Sequence, residues 1–213
     1  MSKKTLYVSD LDGTLLNREK RVTKYTADII NQCIERGMNF TVATARMPYG
    51  CDYRLQDIRI NTPGILTNGV FLYDFQEEKM ISVEDISATS AGTVIDIFRD
   101  NGLSCFVYTY SHRGISIHYG DKELEAQTQY YSERAIKNCA KVQLTENLRE
   151  ALGMGMPVYI TYTGEKKEIR TCLQRSGSNE RGLRILFISI SIMACTALRF
   201  SATRPVNGMP SGS

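Results

Sequence analysis

Hydrophobic and polar positions run in two rhythms along the chain. Thr5-Leu-Tyr-Val-Ser9 reads as an apolar strand that passes directly into Asp10-Leu-Asp-Gly-Thr14. After a polar loop, Thr23 is placed to cap a helix whose apolar positions Ala27, Ile30, Cys33 and Ile34 share a face, and Gly37 ends it. Asn39 to Ala43 is a second strand, stopping at Thr44-Ala-Arg46, and Pro48 suits the first turn of a helix over residues 48–58. Gly64 to Thr67 makes a third short strand, broken at Asn68-Gly69. Strand, helix, strand, helix, strand is the doubly wound α/β pattern, with a parallel sheet and ligands at the carboxyl ends of its strands. All three motif segments fall at such ends.

From about Ile81 the rhythm changes. Ala91, Val94, Ile95 and Phe98 keep helical spacing up to Gly102, and Leu103–Tyr108 and Ile115–Tyr119 read as strands joined by the turn Ser111–Gly114. A polar helix over 122–138, a strand over Pro157–Tyr162 and a short helix over 165–174 follow. This is an α+β pattern, helices on one face of an antiparallel sheet. The expected organisation is a partial doubly wound core over residues 1–83, a second domain over 84–184, and a compositionally distinct segment over 185–213.

Composition narrows the function classes. The 213 residues carry 42% apolar and 23% charged positions with a net charge of +3, ordinary for a globular chain and too weak for a nucleic-acid footprint. The uncharged run Ile185–Leu198 is 14 residues, short of the roughly 20 that span a bilayer. With no signal-peptide pattern, a cytoplasmic protein away from membranes is the expectation. Cys33, Cys51, Cys105, Cys139, Cys172 and Cys195 lack any C-x-x-C pair and read as buried, reduced thiols. His112 and His118 have no partners at zinc-ligand spacing.

Asp10 and Asp12 carry the candidate chemistry. Asp10, leaving the strand, can attack phosphorus or bind a divalent cation, and Asp12 can place a proton at a leaving oxygen. Gly13 permits a close backbone approach, and N–H groups of the loop, from Leu11 onward, can bind phosphate oxygens. Two carboxylates this close repel unless a cation screens them, which implies Mg²⁺ with hard oxygen ligands. The Thr44 hydroxyl can bind phosphate or simply cap a turn. Asn68-Gly69 can be a hairpin turn, a substrate contact or both. Arg46 can reach the phosphate or a neighbouring acid. Phe106, Tyr108, Tyr110, Tyr119, Tyr130 and Tyr131 can stack on a sugar or fill the second domain's core.

Asp10-Leu-Asp-Gly-Thr-Leu15, the F-T-V-A-T-A-R run ending at Arg46, and Leu66-Thr-Asn-Gly69 resemble the haloacid dehalogenase (HAD) superfamily, and within it the Cof-like phosphatases with an inserted type-2 cap. The likeness covers residues 4–184. It implies a Rossmann-like core with an α+β cap, and a phosphomonoesterase acting on a small phosphorylated metabolite such as a sugar phosphate. Asp10 would be the nucleophile forming an aspartyl-phosphate, and Asp12 the general acid and then the base. The Asp10 carboxylate and the Asp12 backbone carbonyl would hold Mg²⁺. Leu11, Gly13, Thr44, Ala45, Arg46, Asn68 and Gly69 would line the phosphate site, under a cap that excludes water. The alternative is a non-catalytic metabolite-binding or protein-interaction remnant.

The family also needs a lysine beyond the cap and a G-D-x-x-N-D-like acid cluster, and neither is present. The 29 residues after Arg184 hold only Arg199 and Arg204 as charges. Codons compatible with residues 199–213 can spell I-F-S-D-K-A-S-K in a shifted frame, which resembles the family's return from cap to core. Residues 185–213 are therefore expected to be an out-of-frame remnant, with no core of their own from Ser201 onward. Activity is expected to be impaired, and the sheet edge left exposed offers a homodimer contact.

Overall fold

The computed structural model describes residues 5–125, 138–164, 168, 183–188 and 196–202. These divide into two compact units, residues 5–84 with 138–139, and residues 85–125 with 140–164, 168, 183–188 and 196–202.

In the first unit, strand β1 (Leu6–Ser9) pairs in parallel with β2 (Asn39–Val42), and helix α1 (Lys24–Glu35) connects them. Thr23 caps α1 by accepting the Thr26 N–H at 3.2 Å. Gly37, at φ 96°, ends it with bonds from Gly37 N to Ile34 O and from Met38 N to Cys33 O. This is a Schellman closure, for which the left-handed residue is usually glycine. Strand β3 (Gly64–Leu66) joins β2 through the parallel bridge Ala43–Ile65 and turns antiparallel into β4 (Phe71–Asp74) and β5 (Lys79–Val83). The expected parallel α/β arrangement is present, extended by an antiparallel hairpin. The helix expected over 48–58 is instead a 3₁₀ turn, Pro48–Gly50, followed by one turn of α-helix, α2 (Asp52–Leu55). Cys51, at φ −118° and ψ −25°, lies off the helical path and separates the two.

The second unit is built on a six-stranded sheet. Helix α3 (Ala88–Asp100) is capped by Ser87 and closed at Gly102 by the same Schellman pattern as α1. Strands β6 (Phe106–Ser111) and β7 (Gly114–Tyr119) form a hairpin, followed by one turn of helix, α4 (Lys122–Glu125). The remaining strands are β8 (Lys141–Leu144), β9 (Met156–Gly164), β10 (Leu183–Ile188) and β11 (Thr196–Ala202), in sheet order β10-β11-β9-β6-β7-β8. β6 starts at Phe106 rather than Leu103 because the Leu103 N–H closes α3 on Phe98 O.

The sheet is mixed rather than antiparallel, since β8 runs parallel to β7. The roughly twenty residues between those two strands are long enough for the crossover that parallel pairing requires. Residues 196–202 enter the sheet between β9 and β10, and Ser201 and Ala202, paired with Arg184 and Leu183, are strand, where no structure was expected. The rest of the expected helices over 122–138 and 165–174, the part beyond Ile188 of the run Ile188–Ile192, which reads as strand from its sequence, and residues 203–213 lie outside the described residues.

The core of this unit gathers Ala91, Val94, Ile95 and Phe98 of α3 with Val107, Ile160 and Tyr162 of the sheet. The Phe98 and Tyr162 rings stack at 5.5 Å. Phe106, Tyr108 and Tyr119 are buried, as core filling requires, while Tyr130 and Tyr131 lie outside the described residues. Cys51 and Cys105 are buried, Cys33 and Cys139 half-buried, and all four are reduced. No described helix is long and apolar enough to cross a membrane.

Candidate active site

Strand β1 delivers Asp10 at its carboxyl end. The chain then winds around the Leu11 carbonyl, which accepts from Thr14 N at 3.3 Å and from Leu16 N at 2.9 Å. Fully buried Leu11 and nearly buried Leu16 anchor this loop from below. Gly13 takes φ 79°, a backbone conformation that a side chain would strain. The Asp10 carboxylate is exposed and accepts one bond within the loop, from Leu11 N at 2.7 Å.

Asp12 is held differently. Arg46 grips it with a two-pronged fork, Nε to Oδ2 at 2.7 Å and Nη2 to Oδ1 at 2.8 Å. Lys20 Nζ adds a third bond to Oδ1 at 3.0 Å. The Arg46 hydrogen bonds pull the Asp12 pKa down to about 2, opposed by partial burial and aided by Lys20. Of the readings open for Arg46, the structure shows the neighbouring acid. Arg46 and Lys20 thus place two cationic side chains on the Asp12 carboxylate.

Loops from three strands meet here. Ala43 N bonds Ser9 O at 2.9 Å, Thr44 N bonds Ile65 O at 2.9 Å, and Asn68 N bonds Thr44 O at 3.0 Å. Buried Thr44 accepts the Arg46 N–H on Oγ1 at 3.2 Å, so its hydroxyl caps the turn and keeps its own proton for donation. Ala45 is half-buried between them. Asn68 (φ 58°) and Gly69 (φ 94°) form the left-handed corner between β3 and β4, a four-residue loop. The hairpin reading of this pair is thereby met, and the same bonds tie the corner to Thr44 and, through Thr67 N to Arg46 O, to Arg46.

Two residues here were not singled out from sequence. Lys20 sits in the polar loop before α1, and Arg54 of α2 holds that loop by donating to Lys20 O at 2.7 Å and to Gly50 O at 3.2 Å. Their signal is weak, because lysines and arginines in polar stretches are usually solvated.

A cation-binding test gives a partial fit. Asp10 offers a hard carboxylate oxygen, whereas both oxygens of Asp12 face cationic side chains. No group of three or more His, Cys, Asp or Glu stands together among the described residues.

A family described as haloacid dehalogenase-like hydrolase matches residues 7–194. The chain belongs to that family. The match runs ten residues past the compositional break at 184. Pyridoxal phosphate phosphatase YbhA of Escherichia coli is 24% identical over 99 residues, covering 46% of this chain and 36% of that protein. The chain thus spans little more than a third of the length of this relative. Among solved structures, a haloacid dehalogenase-like hydrolase from B. subtilis aligns with a TM-score of 0.68 at 18% identity, over 92% of this chain and 73% of that one. A HAD subclass IIB sugar phosphatase aligns with a TM-score of 0.64 at 16% identity, over 92% and 70%. These likenesses establish the Rossmann-like α/β fold of the haloacid dehalogenase-like hydrolases.

Proposed function

We propose that this chain carries the nucleophile half of a Mg²⁺-dependent phosphomonoesterase acting on a small phosphorylated metabolite, a sugar phosphate being the favoured class. One observation carries the reading most directly. Of two carboxylates on one strand-end loop, Asp12 is gripped by Arg46 and Lys20, and Asp10 is left exposed with a free oxygen. A nucleophile needs that freedom, and an acid–base residue needs a fixed position.

The Asp10 oxygen attacks phosphorus, the ester P–O bond breaks, and the leaving alcohol takes up a proton. Water then attacks the aspartyl-phosphate, a proton passes to Asp12, the P–O bond to Asp10 breaks, and inorganic phosphate is released. Held at about 2, Asp12 is ionised at neutral pH and is set for the second step as a base. Its role as acid in the first step requires the Arg46 grip to loosen. Thr44 Oγ1–H and the backbone of Leu11, Gly13, Ala45, Asn68 and Gly69 would receive the phosphate oxygens. Mg²⁺, held by the Asp10 carboxylate and the Asp12 backbone carbonyl, would supply charge neutralisation at the phosphoryl group.

No lysine follows Lys167 and no aspartate follows Asp121. A polypeptide of these 213 residues is therefore expected to turn over slowly, since losing one such electrostatic contribution commonly costs on the order of 10²-fold. We read residues 84–184 as the inserted cap and 185–213 as an out-of-frame remnant, a point that the coding DNA decides. The edge of β1 that has no partner among the described residues supports homodimer pairing, and a cytoplasmic setting suits this activity.

A panel of phosphomonoesters with Mg²⁺ tests the activity. Slow phosphate release that Asp10→Asn abolishes is expected, a loss of roughly 10³-fold or more for removal of a nucleophile. Release that survives Asp10→Asn contradicts the reading.

A further inference from the structure

Lys20 has left-handed backbone, φ 59°, a conformation that is unfavourable for a residue with a Cβ. Several contacts hold it there. Lys20 N donates to Asn17 O at 3.0 Å, and the Asn17 side-chain oxygen accepts from Glu19 N and Arg21 N at 3.0 Å each. Arg54 Nη1 donates to Lys20 O at 2.7 Å. The result is an ammonium 3.0 Å from Asp12 Oδ1, reached across eight residues of chain. A strained backbone maintained by its surroundings marks a constraint on what the side chain must reach.

The acceptor geometry of Asp12 says what that constraint accomplishes. A carboxylate has about four lone-pair positions, two on each oxygen. Oδ1 receives both Lys20 Nζ and Arg46 Nη2, while Oδ2 receives Arg46 Nε alone. One acceptor direction stays open, and it lies on Oδ2. Without Lys20 a second would open on Oδ1, and the carboxylate could pivot against the Arg46 fork.

We infer that Lys20 is a positioning residue that closes Oδ1 of Asp12 and leaves Oδ2 as the oxygen that exchanges a proton during phosphoryl transfer. This rests on the reading of Asp12 as the acid–base residue. In the hydrolytic step the proton of the attacking water goes to Oδ2 while its oxygen bonds phosphorus. The electron pair of the breaking P–O bond returns to the Asp10 carboxylate.

Lys20→Gly is the informative variant, because glycine adopts the left-handed turn freely while the whole side chain, ammonium included, is lost. Crystal structures of the wild type, Lys20→Gly and Lys20→Arg decide the matter without turnover. The expected result is an Asp12 carboxylate rotated on its Arg46 fork in the glycine variant and restored in the arginine variant. Kinetics with p-nitrophenyl phosphate and Mg²⁺ add a second readout. Lys20→Gly should lower kcat by up to about 10²-fold, the scale of a small misplacement of a reacting group, with KM nearly unchanged and Lys20→Arg largely restoring the rate. An Asp12 carboxylate that stays in place in Lys20→Gly overturns the inference. So does a KM that rises as much as kcat falls, which would put Lys20 on the substrate. Failure of the phosphatase reading looks different. Turnover would then be insensitive to Asp10→Asn, while the orientation of Asp12 still answers the positioning question.

Discussion

Strands β1 and β7 share an apolar composition and meet opposite fates. Leu6, Tyr7 and Val8 of β1 remain 51%, 53% and 48% exposed, so both faces of the strand are half open, and its one ladder partner among the described residues is β2. Ile115 and Ile117 of β7 are fully buried, in a strand paired on both sides within a six-stranded sheet. A run of apolar residues suits a parallel strand covered on both faces, and β1 has that sequence without the cover. The candidate site nevertheless hangs from β1. Its loop keeps its shape through two buried leucines, the Arg46 fork and the hydrogen bonds among three strand ends. The second unit gets its order from buried area, and the first unit gets its site from polar geometry.

Breaking that contrast should cost most in the second unit. Phe98→Ala removes a ring that is 1% exposed and stacked on Tyr162, and should destabilise the unit by about 3–5 kcal/mol. Hydrogen exchange would read this as lost protection in β6, β7 and β9. The amides on the open side of β1 should already exchange fast in the wild type, so uniformly slow exchange there would contradict the comparison.

Acid sharpens it next. Burial, helped by Lys141, lowers the pKa of His118, which sits among Thr109, Thr145 and Gln143. The unfolded chain then binds more protons than the folded one just below pH 6.5, so stability is full above that value and declines as the pH falls beneath it. Asp12 has the usual carboxylate sign, and its contribution is lost only as the pH falls from 3.8 towards about 2. Thermal unfolding at pH 7.5 and pH 5.5 should show the first loss, and His118→Gln should flatten it.

The smallest expected effect is at the caps. Thr23→Ala and Ser87→Ala each remove one N-cap bond and should cost about 1 kcal/mol, one in each unit, by chemical denaturation.

What could be read from the sequence follows from these same forces. Helices α1 and α3 and their glycine stops were legible because apolar period, cap and left-handed closure all agree. Strands β5 and β8 were not, since Lys79-Met-Ile-Ser-Val83 and Lys141-Val-Gln-Leu144 are short and half-exposed, with little pattern to find. The parallel pairing of β7 with β8 depends on a distant connection rather than on local preference. At the site, Asp10, Asp12, Thr44 and Arg46 announced themselves by their place at strand ends. Lys20 did not, because what recruits it is a backbone conformation set by Asn17 and Arg54, and neither contact leaves a pattern in the polar run Asn17-Arg-Glu-Lys-Arg21.

On the proposed function, the exposed carboxylate at the end of β1 takes the phosphoryl group. Rapid acid quench after mixing with a phosphomonoester and Mg²⁺, followed by mass spectrometry of the peptide carrying Asp10, tests it most directly. The added mass of one phosphoryl group is expected on Asp10 in the wild type and none in Asp10→Asn. An unmodified Asp10 peptide under conditions that release phosphate, or the same adduct in Asp10→Asn, would contradict it.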